Sequence, residues 1–163
     1  HHSTSTSASR TTTAPPSITR RRRAGGHLQI HPGGHPRGAV RPEDLTNSTD
    51  LGYQVLRADE CHKMGMEAVL KAIRARVGSA KAFLTFDIDF VDPAYAPGTG
   101  TPEVGGFTSF ETLDMVRRIK DLNYVGFDIV EVLPAYDSGE ITAYMAANIV
   151  FELSFYSRFE KAE

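Results

Sequence analysis

Apolar residues along this chain alternate between two spacings. Tyr53-Gln-Val-Leu-Arg57 reads as a short strand, after which Met66, Val69, Leu70, Ile73 and Val77 recur at helical spacing and Gly78 is placed to stop the helix. A second strand is expected over residues 82–88. Beyond a loop rich in Pro and Gly, Thr108-Ser-Phe-Glu111 has the form of a capping box and opens a helix with Leu113, Val116 and Ile119 on one face. Residues 125–130 form the next buried strand. A last helix begins after Asp137, with Glu140 three residues on, and runs through Ile141, Tyr144, Met145, Ile149 and Phe151 towards Phe155. The β-α-β-α-β-α succession predicts an α/β fold, a parallel sheet with helices on both faces. No internal repeat is present.

The chemistry gathers where the strands end. Asp87-Ile-Asp89-Phe-Val-Asp92-Pro93 closes the apolar run of the 82–88 strand, and residues i and i+2 of a strand point to one side, so the Asp87 and Asp89 carboxylates can converge. Two shielded carboxylates repel unless a cation or a shared proton compensates, and hard oxygen donors suit manganese, magnesium or calcium. The alternative is a turn that is merely rich in Asp and Pro. Glu131 ends the next strand, and in parallel sheets the functional crevice lies beyond the carboxyl ends of the strands. Asp92, placed before Pro93, is read as a turn-shaping residue.

The stretch from Asp87 to Glu103, with Pro97-Gly98-Thr99-Gly100-Thr101-Pro102 at its centre, resembles a signature of the ureohydrolase family of arginases, agmatinases and guanidino-acid hydrolases. Asp128-Ile-Val-Glu131-Val-Leu-Pro134-Ala-Tyr-Asp137 is similar to that family's next signature, and the agmatinase branch looks closest. The resemblance runs from about His35 to the C-terminus. It implies the C-terminal half of an arginase-like three-layer α/β/α fold over residues 35–163. It further implies two manganese ions that activate water for attack on a guanidinium carbon, with Asp87 and Asp89 as metal ligands. Glu131 would hold the guanidinium, for which a carboxylate is the complementary fork. Thr101 would line the same pocket, or serve only as a turn residue; Asp128 would orient a metal-ligating side chain, or be an ordinary hydrogen-bonded Asp. The implied substrate is a small guanidino compound, agmatine giving putrescine and urea, with a guanidino acid or arginine as alternatives, and the implied assembly is a homo-oligomer. The Gly-Gly-Asp-His and Asp-Ala-His-x-Asp segments that carry the family's other four ligands do not occur. The expectation is therefore a fragment inactive by itself, whose two ligands bind manganese weakly.

Composition narrows the rest. Residues 1–26 hold eleven Ser or Thr, five Arg and no acid, too little apolar surface to offset ordering entropy, so residues 1–34 are read as a disordered segment: family sequence in a disturbed frame, or unrelated upstream sequence. The net charge of −2 thus sums a basic tail and an acidic remainder that is unsuited to nucleic-acid backbones. Cys61 is the single cysteine, which excludes an intrachain disulfide and makes a cytoplasmic location the default; no stretch has the length of a membrane span. His27, His31 and His35 would form a metal stripe on a helix, but Pro32, Gly33, Gly34 and Pro36 forbid that helix. A phosphatase of Asp-x-Asp type would need a later Lys and a downstream acidic pair on another strand end, and that pair is missing. A non-catalytic binding role for the basic tail lacks interleaved aromatics.

Overall fold

The computed structural model describes residues 27–31 and 52–159. Its elements are β1 (His27–His31), β2 (Tyr53–Arg57), α1 (Ala58–Met64), α2 (Met66–Val77), β3 (Ala82–Asp87), α3 (Ser109–Arg118), β4 (Tyr124–Val130) and α4 (Ile141–Phe159), with 3-10 turns at Ile88–Phe90 and Pro134–Tyr136. The strands form two parallel pairs, β1 with β2 and β3 with β4. The expectation of disorder for residues 1–26 and 32–34 lies outside the described residues.

One expectation needs correcting. Residues 27–31 fall inside the segment read as disordered, yet they run as a strand in register with β2, His27 opposite Tyr53 and His31 opposite Arg57. Their hydrogen-bond partner lies more than twenty residues downstream, a non-local source of order that local composition cannot report, and Ile30 packs against the core.

Alternation sorts the β3–β4 pair into two faces. Phe83, Thr85 and Asp128 are exposed, whereas Leu84, Phe86, Phe127 and Ile129 join the core. Val69 and Leu70 of α2, Met115 and Val116 of α3, and Met145 and Ile149 of α4 are buried in that same cluster. The helices among the described residues therefore cover one face of the pair, and the face of Phe83 and Thr85 is open; the second helical layer of a three-layer fold is not among them. No described helix is long and apolar enough to cross a membrane.

Helix starts obey local chemistry. The Thr108 hydroxyl accepts the Glu111 N–H (3.2 Å) while Glu111 Oε2 accepts the Thr108 N–H (2.9 Å), a reciprocal box that satisfies two otherwise orphaned donors. The Glu111 carboxyl is held below its ordinary range, first by that backbone hydrogen bond from Thr108. At α4 the capping group is Asp137, which accepts N–H groups of Ser138 (2.9 Å), Thr142 (3.0 Å) and Ala143 (3.0 Å). Burial pushes this carboxyl up, but the hydrogen bonds from Thr142, Ala143 and Ser138 outweigh it and the net direction is down. Glu140 precedes α4 in a left-handed backbone position at φ 62°, and its carbonyl accepts the Tyr144 N–H (2.9 Å).

Candidate active site

Asp87 and Asp89 are brought together, though not by strand alternation. β3 stops at Asp87, and the chain tightens into the 3-10 turn Ile88–Phe90, whose first free N–H, that of Asp89, donates to Asp87 Oδ1 (3.1 Å). The turn is anchored from inside: Ile88 is fully buried and Phe90 nearly so. An apolar residue at each of these positions pulls the turn onto the core and leaves Asp89 at the rim. The Thr101 hydroxyl donates to Asp89 Oδ2 (3.0 Å), which brings the Gly-rich loop to the same spot.

The electrostatics are those of crowded acids. Burial pushes the Asp89 carboxyl up; hydrogen bonds from Thr101 and the Asp87 carboxyl oppose this; the charges of Glu103 and Glu131 raise it again, and the net direction is upward. A carboxyl pushed up by desolvation and like charge is one that a cation would relieve. Glu103 carries no signal in the sequence, since nothing local distinguishes it from any loop acid. Its involvement follows from the way the 101–107 loop folds back over the end of β3.

Glu131 sits just past the end of β4 at φ 63°, in the left-handed region that costs a residue with a Cβ of order 1 kcal/mol or more. Its carboxylate is a near neighbour of the loop: a Cβ placed on Gly100 would lie 3.8 Å from Glu131 Oε2. Asp87, Asp89, Thr101 and Glu131 thus share one rim. Asp128 lies further back on the open face, in register with Thr85. Asp92 has the turn role read from sequence, its Oδ1 accepting the Ala94 N–H (2.9 Å) and its Oδ2 the Gly105 N–H (2.8 Å).

The loop is fastened at Gly98. Its carbonyl accepts the Leu133 N–H (2.8 Å) and its N–H donates to the Thr142 hydroxyl (2.7 Å), and a Cβ there would stand 2.7 Å from Asp137 Cβ. Only a residue without a side chain lets the two segments approach so closely.

Two carboxylates and a hydroxyl form a hard-oxygen donor set suited to manganese or magnesium. Among the described residues no group of three or more His, Cys, Asp or Glu side chains is arranged to hold a metal ion. The donors fit such an ion in kind and supply part of a shell.

The model of the arginase family matches residues 37–155, so the chain belongs to the arginase family. It is 46% identical over 114 residues to the agmatinase of Enterobacter sp. (strain 638), covering 70% of this chain and 37% of that protein. Among solved structures it superposes on the proclavaminate amidino hydrolase of Streptomyces clavuligerus with a TM-score of 0.72 at 42% identity, over 79% of this chain and 42% of that one. It also superposes on a hypothetical agmatinase from Burkholderia thailandensis with a TM-score of 0.69 at 36% identity, over 85% of this chain and 53% of that one. The fold is thus an arginase-like α/β fold, and the chain spans little more than a third of the length of the curated relatives it matches.

Proposed function

We propose that this chain is part of a manganese-dependent ureohydrolase of agmatinase type, which hydrolyses the guanidinium group of agmatine to urea and putrescine. The observation that supports this best is the meeting of Asp87, Asp89, Thr101 and Glu131 at one rim of a chain that is 46% identical to an agmatinase. Asp87 and Asp89 would hold manganese together with donors from outside the described residues; when bound, the metal supplies a water-derived nucleophile at neutral pH and Lewis-acid stabilisation of developing charge.

The chain's own residues do the rest. Asp87, by accepting the Asp89 N–H, fixes the turn that presents the second carboxylate. Thr101 donates to Asp89 Oδ2 and so fixes the orientation of the carboxylate that a cation would meet. Glu131, whose strained backbone holds it at the rim, offers a carboxylate fork to the guanidinium N–H groups and sets the carbon to be attacked beside the two aspartates.

The test replaces the matching segment of the Enterobacter agmatinase with residues 37–155 of this chain. The chimera should release urea from agmatine in a manganese-dependent manner, and the chain alone should release none. A folded, manganese-loaded chimera that leaves agmatine intact would overturn the reading. If it hydrolysed a guanidino acid or arginine instead, the chemistry would stand and the assignment of agmatine would fall.

A further inference from the structure

His62 lies on α1, far in sequence from the rim, and touches the loop that serves it. Its Nε2 is 3.1 Å from the Gly105 carbonyl oxygen and 3.2 Å from that of Gly106. A carbonyl can only accept, so Nε2 carries the proton and shares it between both oxygens. The imidazole also stacks on Phe107 (centroids 4.6 Å apart); Phe107 stacks on Phe90 (4.3 Å, 9° between planes), and Phe90 meets Phe86 edge to face (5.5 Å). A continuous pile of rings thus runs from α1 to the turn that holds Asp89.

The loop suits this grip. Gly105 has φ 91°, a conformation that L side chains rarely adopt, and its N–H donates to Asp92 while its carbonyl accepts from His62, so the peptide units on both sides of it are held. A Cβ on Gly106 would stand 2.8 Å from both the Asp92 nitrogen and the Phe90 carbonyl oxygen. The helix end of the contact is firm, because Ala58 and Cys61 of α1 are buried. Four residues before this anchor, Thr101 reaches Asp89.

We propose that His62 is a positioning residue: its shared N–H and its stack on Phe107 hold the 101–107 loop where the Thr101 hydroxyl reaches Asp89. The catalytic meaning of that placement rests on the ureohydrolase reading; the placement itself does not.

The test uses the chimera with the Enterobacter agmatinase, whose remaining segments supply the other metal donors, and two variants that separate the two halves of the grip. H62F keeps a ring on Phe107 and removes the donor, whereas H62Q keeps a donor and removes the ring. Amide hydrogen exchange at Gly105 and Phe107, the Thr101 methyl resonance and the manganese-induced relaxation of that resonance are read in each. H62F should speed exchange at Gly105 and Phe107 about tenfold, the size expected for one lost hydrogen bond, shift the Thr101 methyl and weaken manganese binding several-fold, with α1 and α2 amides still protected. H62Q should restore part of each change. Unchanged loop amides in H62F, or equal loss of protection throughout α1 and α2, would overturn the proposal. A wild-type chimera in which manganese leaves the Thr101 methyl unaffected would count against the ureohydrolase reading, and the loop exchange would still decide the role of His62.

Discussion

The carboxyl ends of β3 and β4 face the same rim and are built on opposite principles. The end of β3 is held by contacts: Asp87 caps its own turn, Ile88 and Phe90 pin it to the core, and Thr101 closes over Asp89. The end of β4 is held by conformation, with Glu131 exposed and kept in a left-handed backbone state. The contrast shows that one rim can present one carboxylate half-buried, where its charge is costly without a cation, and another open to solvent, where a substrate can reach it. Gly98 couples the two, since its backbone bonds reach Leu133 and Thr142.

Exchanges at each end should break the contrast differently. The largest effect is expected for Asp89→Asn in the chimera with the Enterobacter agmatinase, where manganese retention and urea release should fall together by at least about a hundredfold, beyond the range usual for residues that only support a ligand. Full metal content measured by atomic absorption, with full activity, would remove Asp89 from the ligand set. Next is the coupling itself. Gly98→Ala forces a methyl group against Asp137, which three backbone N–H groups hold in place, so urea unfolding should show about 1–3 kcal/mol of lost stability.

Glu131→Gly should separate stability from function at the end of β4. Release of the left-handed strain raises unfolding stability by about 1 kcal/mol, while agmatine binding by the chimera is lost. A destabilised variant would mean that the Glu131 side chain contributes more to the fold than its backbone costs. The smallest effect concerns the α4 cap. The Asp137 carboxyl lies below its ordinary 3.8 in the folded chain, so its contribution is full above that value and is lost as pH falls through the lower folded one. Asp137→Asn keeps one oxygen to accept the Ser138 and Thr142 N–H groups, loses the acceptor for the Ala143 N–H and cannot ionise, so it should lower stability at neutral pH and flatten that acid limb in denaturant midpoints taken against pH.

Much of this frame is legible in the sequence because it is local. The strand Tyr53–Arg57, the helix Met66–Val77 with Gly78 behind it, and the box at Thr108 and Glu111 all follow from spacing and capping chemistry over a few residues. Errors arise where distant partners decide. β3 ends a residue early because the burial of Ile88 and Phe90 turns the chain inward, and α1 escapes notice because seven residues that bury only Ala58 and Cys61 leave too short a periodicity to read. The acids at the rim stand out in sequence as a motif. His62 does not, since its partners lie 43 and 44 residues away and its only signal is the Gly105-Gly106 pair, which any turn could explain.

The left-handed backbone at Glu131 also limits how this position can diverge. The main chain there is most comfortable with Gly, Asn or Asp, and the proposed guanidinium contact calls for a carboxylate. Aspartate alone meets both demands, one methylene shorter, so drift at this position runs along a path with a single step on it, and a relative bearing Asp here would have to bring its substrate closer to β4.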